Sequence, residues 1–69
     1  MINKSATNML NTDQAAYYLG LARATLEAWR TRGGGPAFCK LGKAVRYRLT
    51  DLDAFILSRV KTNTAQDAE

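Results

Sequence analysis

Seven basic side chains crowd one stretch of this chain. Between Gly20 and Arg48 stand Arg23, Arg30, Arg32, Lys40, Lys43, Arg46 and Arg48 against the single acid Glu27, a regional excess of +6 within an overall net charge of +4. From Leu49 onward the balance reverses, with Asp51, Asp53, Asp67 and Glu69 outnumbering Arg59 and Lys61. A regional basic block is the electrostatic footprint of a phosphate-binding surface; from charge alone, a solvated, solubilising face is the competing reading. Other chemistries find little support. Histidine, the commonest general acid-base residue, is absent. The carboxylates are spread along a short chain with no pocket to perturb them, so an enzyme is not expected. Cys39 is the only cysteine. It allows no intramolecular disulfide, supplies no clustered metal ligands and suits a reducing compartment. Neither a metal nor a cofactor is expected. Gly33-Gly34-Gly35 lacks the Gly-Lys-Ser/Thr ending of a phosphate loop and reads as a flexible entry to the strands beyond it.

The 69 residues hold one domain, and its elements must position those cations. Residues 1–9 are polar and read as a flexible arm without the apolar stretch of a secretory signal. No apolar run reaches membrane-spanning length; a soluble, cytoplasmic protein is expected. Leu10 stands where a hydrophobic staple would, before a capping box of Asn11 and Gln14. A helix is predicted over Thr12 to Leu19, ended by Gly20. A second runs from Arg23 to about Thr31, with Leu26 and Trp29 on one face and Arg23, Glu27 and Arg30 on another. Ala22 has no side-chain acceptor and caps poorly. After the Gly33–Pro36 break, strands are predicted at Ala37–Leu41 and Ala44–Leu49 around a Gly42-Lys43 turn. In the second strand Val45, Tyr47 and Leu49 face the core while Arg46 and Arg48 face outward. Thr50, with Asp53 in the reciprocal position, is expected to cap a third helix from Asp51 to about Val60, its apolar stripe being Leu52, Phe55, Ile56 and Val60. Residues 61–69 read as a flexible tail.

The most informative spacing lies between Ala15 and Trp29. A helix-turn-helix needs a small residue where its helices touch, a turn residue tolerant of positive φ, and apolar anchors in the second helix. Ala16, Gly20, Leu26 and Trp29 meet those needs in order, with Ala15, Leu19 and Leu21 apolar alongside. An αα-hairpin that merely packs is the plainer alternative. The expected fold is α+β, mostly α: a small winged helix-turn-helix over residues 10–60.

Four segments carry a family resemblance. Leu10-Asn11-Thr12-Asp13-Gln14-Ala15-Ala16-Tyr17-Tyr18-Leu19-Gly20-Leu21 resembles the opening of the excisionase-type, AlpA-like helix-turn-helix domains, which are similar to the MerR DNA-binding domain in winged-helix architecture. Arg23-Ala24-Thr25-Leu26, then Lys40 to Arg48, then Thr50 to Ile56 continue it in order. The resemblance implies a sequence-specific double-stranded DNA-binding protein. It has two biological outlets: recombination directionality in excision of a mobile element beside an integrase or recombinase partner, or transcriptional regulation of prophage or mobile-element genes. A protein-interaction adaptor on the same fold is the reading from another class. The family often has Ser where this chain has Ala22 and Ala24, which shifts expected binding from the helix toward the wing.

In that frame the second helix enters the major groove, with Arg23, Ala24, Thr25, Glu27, Ala28 and Arg30 as exposed candidates. Arg23 suits guanine or phosphate, and Thr25 suits phosphate or a thymine methyl. Glu27 either accepts from cytosine N4 or pairs with Arg23 or Arg30, pairing being favoured. Arg30 and Arg32 are assigned to the DNA backbone. Lys40, Lys43, Arg46 and Arg48 form the wing's contact set, directed at phosphates or a narrow minor groove, with Arg46 foremost. Trp29 and Tyr47 are read as core, and Cys39 as a small hydrophobe. One of Tyr17 and Tyr18 is expected to pack and the other to be available to a phosphate. So small a surface suggests cooperative self-association on adjacent DNA sites.

Overall fold

Local chemistry places the first helix where the sequence puts its cap. In a computed structural model of the protein, which describes residues 8–62, α1 spans Thr12–Leu19. Gln14 N–H donates to the Asn11 side chain at 2.8 Å and Asn11 N–H donates to the Gln14 side chain at 2.9 Å. Two N–H groups that would otherwise lack a partner are thereby satisfied. Gly20 ends the helix at φ 72, a left-handed conformation that a Cβ disfavours. The Gly20 N–H then reaches Tyr17 O, and the Leu21 N–H reaches Ala16 O, closing a Schellman-type end.

The second helix, α2, covers Arg23–Arg32, one residue past its expected end. Ala22 gives it no side-chain cap bond. Beyond the glycine segment, β2 (Cys39–Leu41) and β3 (Ala44–Arg48) form an antiparallel wing, with Cys39 opposite Arg46 and Leu41 opposite Ala44. Ala37 and Phe38 fall outside β2, which is shorter than expected.

The N-terminal boundary of the fold also differs from the sequence expectation. Met9–Leu10 forms a strand, β1, antiparallel to β3, pairing Met9 with Arg48 and Leu10 with Tyr47. The sheet therefore has three strands in the order β1-β3-β2, and Met9 belongs to the fold rather than to an arm. A two-residue strand is too short for periodicity to reveal. Residues 1–7 of the expected arm and 63–69 of the expected tail lie outside the described residues.

The last helix, α3, is Leu49–Ser58. It starts two residues early because β3 runs into it directly. Arg48, in extended conformation, is the N-cap residue and makes no side-chain cap bond, while the Leu49 N–H donates to Asn8 O at 2.9 Å. Thr50 is thus inside the first turn, not the cap. Asp53 does not complete a capping box and instead accepts a bond from the Tyr18 hydroxyl. Leu49, expected to end a strand, begins the helix. The apolar stripe also narrows: Leu52 is fully buried and Phe55 half-buried, whereas Ile56 and Val60 are exposed. The helix stops before Val60 could join its inner face.

Ala15, Ala16, Leu26, Tyr47 and Leu52 make the core, with Leu10, Leu19, Trp29 and Val45 packed around it. Small side chains at Ala15 and Ala16 bring α1 close to its neighbours, as a helix-turn-helix requires. Burial of a leucine such as Leu26 stabilises by about 1.5–3 kcal/mol. Trp29 stands against Phe55 with ring centroids 5.4 Å apart. Gly35 lies on the same indole: a Cβ there would come within 2.7 Å of Trp29 atoms. The Arg59 guanidinium sits 4.6 Å from the Phe55 ring centroid and donates to Gly34 O at 2.9 Å. The glycine segment, expected to be a flexible entry, is tied down at Gly34 by Arg59 and packed at Gly35, where only a residue without a side chain fits over the ring. The result is an α+β, mostly helical, winged helix-turn-helix.

Candidate nucleic-acid interface

The outer surface of α2 opens with an ion-pair cluster. Arg23 Nη1 lies 2.9 Å from Asp13 Oδ1, and Arg23 Nε donates to Glu27 Oε2 at 2.8 Å. The hydrogen bond from Arg23 to Glu27, then that to Asp13, holds the guanidinium proton above arginine's ordinary value. Glu27 therefore pairs with Arg23, the first of the two partners expected for it. Ala24 and Arg32 are exposed, and Thr25 and Ala28 are half-buried.

Arg30 turns the other way. Half-buried, its Nη1 donates to Thr12 Oγ1 at 3.1 Å and to the Tyr47 hydroxyl at 2.9 Å. One side chain thus ties α2 to the first turn of α1 and to the middle of the wing. Its guanidinium is 6.0 Å from the Phe38 ring centroid. The sequence reading placed Arg30 on an exposed face; helical spacing could not show that a buried hydroxyl on β3 would draw it inward.

Along the wing, Lys40 and Lys43 are exposed and Arg46 is half-buried. Arg46 Nη1 donates to Val45 O at 2.8 Å. Arg48 is held in a two-pronged pair with Asp51, at 2.7 and 2.9 Å. That arrangement is favourable because both planar groups meet edge to edge. Hydrogen bonding by Arg48 also keeps the Asp51 carboxyl below its ordinary range. Arg46 and Arg48 alternate as expected but end in different surroundings. Arg48 borders a separate, more apolar depression with Asn8, Met9, Leu49, Thr50 and Asp53.

A concave cleft of about 400 Å³ lies between the two halves of this surface. Its walls are the first turn of α1 (Asn11, Thr12, Asp13), Arg23 and Arg30 from α2, and Lys43 to Arg46 from the wing. The fold therefore brings together four of the candidate cations: Arg23, Arg30, Lys43 and Arg46. Arg32, Lys40 and Arg48, with Ala24, Thr25, Glu27 and Ala28, lie outside its lining. Cations around a helix N-terminus favour an oxyanion, since the first-turn N–H groups carry partial positive charge. Sequence reasoning missed the contribution of Asn11, Thr12 and Asp13. The available signal was the tight turn at Gly20, which returns the chain so that both helix starts meet.

The aromatic residues divide differently from expectation. Neither Tyr17 nor Tyr18 enters the core: Tyr17 is 90% exposed, and Tyr18, 46% exposed, spends its hydroxyl on Asp53. That bond raises the Tyr18 pKa above its ordinary value. Tyr47 is buried and Trp29 packs against the core. Cys39 is half-buried in β2. Among the described residues, no group of three or more His, Cys, Asp or Glu is placed to hold a metal ion, and no helix is long and apolar enough to cross a membrane. Comparison with known protein families matches residues 9–60 to one described as a helix-turn-helix domain. No curated protein matches the chain.

Proposed function

The chain belongs to this helix-turn-helix family of small, excisionase- and AlpA-type DNA-binding proteins, and from that premise we propose that it serves as an excisionase-type recombination directionality factor. It reads double-stranded DNA with α2 and grips the backbone with the wing. The observation that carries the reading is the cationic cleft between α2 and the wing. A helix seated in the major groove and a hairpin over the neighbouring strand leave a phosphate in the notch between them. Arg30, Lys43 and Arg46 neutralise it there, and Lys40, Arg32 and Arg48 lie along the flanking backbone. Ala24, Thr25 and Ala28 face base edges, where small and methyl-bearing side chains suit thymine methyl groups. The partners are double-stranded DNA and an integrase or recombinase, with copies of the chain assembling cooperatively on adjacent sites. The role belongs in the cytoplasm, at the nucleoid of a prokaryotic or phage-bearing cell.

The first test is binding to labelled duplex over a range of salt. The six cations named, each offsetting about one phosphate charge, release counterions with a log–log slope of about −5.4. Undetectable binding at low salt would remove the DNA reading altogether. The second test separates the outlets that share this surface. Recombination of attachment sites by a cognate integrase should need the protein for excision. If excision proceeds equally without it while transcription from a neighbouring promoter responds, the AlpA-like regulator is the correct role.

A further inference from the structure

Arg23 is the one cation of the cleft that carries two acids. Asp13 and Glu27 occupy its Nη1 and Nε at 2.9 and 2.8 Å, leaving a formal charge of −1 on a surface otherwise built from cations. Glu27 is also the single acid between Gly20 and Arg48. The cluster does little for stability, since all three side chains are about half exposed or more and solvent and salt screen such surface pairs. Nor does it suit indiscriminate DNA binding. To meet a phosphate or a guanine edge through Nη1 and Nε, Arg23 must leave both carboxylates, and both then face the DNA unpaired.

Resting on the reading of this surface as the DNA interface, we infer that Asp13 and Glu27 are specificity-determining residues that hold Arg23 back from non-cognate duplex. The three groups behave as a latch. On arbitrary sequence, opening it places carboxylates against phosphates, and like charges meeting across an interface are strongly disfavoured. On a site presenting an amino group to Glu27 in the major groove, as cytosine N4 does, the Glu27 carboxylate keeps a donor, and Arg23 turns to the backbone with Asp13 alone left unpaired. Binding energy from Arg23 is thus realised only on the correct sequence, a case of discrimination by repulsion of the wrong partner.

The test uses the full chain and a labelled random-sequence duplex pool, titrated at about 50 and about 200 mM salt, where counterion release separates strong from weak phosphate contact. Glu27→Gln and Asp13→Asn should each bind the pool about five- to tenfold more tightly than wild type, the scale of relieving one like-charge approach at a screened surface. Their salt slopes should steepen by about 0.9, one additional phosphate contact. The decisive comparison is Glu27→Gln in an Arg23→Ala background, where the added slope of about 0.9 should vanish, because no arginine is left to release. If Glu27→Gln steepens the salt slope equally with and without Arg23, or in neither, the acids merely repel DNA and the latch is refuted. If wild type and all variants fail to bind the pool at the lower salt, the DNA reading itself falls and takes this inference with it. Circular dichroism melting of each variant checks that the fold and its stability are retained, so that changes in binding are read on folded protein.

Discussion

Tyr47→Phe isolates a single oxygen whose role can be worked from the structure. Tyr47 is 1% exposed, and its hydroxyl accepts from Arg30 Nη1 at 2.9 Å. The substitution keeps the ring, including its tilted contact with Phe38 at 6.1 Å, and deletes only that bond. A hydrogen bond to a charged donor is worth about 1.5–3 kcal/mol; the low end applies because Arg30 keeps its 3.1 Å bond to Thr12 and is only half-buried. The expected loss is therefore about 1.5 kcal/mol, or roughly 6–12 °C in Tm for a domain this small. Urea unfolding should show an earlier midpoint at unchanged slope, since no new surface is exposed. Arg30→Met should cost more, about 2–4 kcal/mol, because it leaves two inward-facing hydroxyls without their donor. Well below the transition, Tyr47→Phe should bind duplex as wild type does, because Tyr47 does not line the cleft. An unchanged midpoint would refute the reasoning: the Arg30 side chain would then not be tying α2 to the wing, and its place would be wholly on the DNA-facing side.

Gly35→Ala should destabilise by about 1–3 kcal/mol and alter the emission of Trp29, because the new methyl would sit 2.7 Å from the indole; unchanged fluorescence and stability would show that the segment can move aside. The Arg48–Asp51 pair should give a pH-dependent contribution. Asp51 is held below its ordinary 3.8, so its stabilisation is present above that value and is lost as pH falls through the lower folded value. The difference in urea midpoint between wild type and Asp51→Asn should accordingly be steady near neutrality and close in acid. Arg46→Ala should weaken binding to every sequence and make the salt slope shallower by about 0.9, whereas Thr25→Ala should change sequence preference in a selection from random duplexes. The reverse pattern would exchange the assignments of wing and helix.

The features legible in the chain were those that near neighbours decide. The start of α1 follows from Asn11 and Gln14, its end from Gly20, and the wing from the alternation of Val45 and Tyr47 with Arg46 and Arg48; all act within a few residues. The start of α3 was misread because Thr50 and Asp53 carry the chemistry of a capping box, while the chain bends two residues earlier, where β3 runs straight into the helix. Residue type and spacing marked Arg23, Arg30 and Arg48 as cations on outward faces and offered Glu27 as a partner for Arg23 or Arg30, but gave none of their other partners. Each found an oxygen that depends on tertiary placement or rotamer: Asp13 across the turn, Tyr47 on the wing, Asp51 one helical turn on. Hence the basic surface was legible as a region, and the cleft within it was not.

The pairing of Met9 with Arg48 has a consequence for the order of events in folding. The α1–α2 hairpin is built from neighbouring segments and can close as soon as it is made. Among the described strands, β1 is made before the other two and must wait for β3, the last, since their pairing spans both helices and β2. Such long-range closure carries a larger loop entropy and forms late. Until then the Leu49 N–H lacks the Asn8 carbonyl that receives it, so the first turn of α3 and the edge of the sheet are completed in a single step. A nascent chain can thus close α1 on α2, and β2 on β3, before the sheet is complete, and β1 docks only once Arg48 has cleared the ribosome.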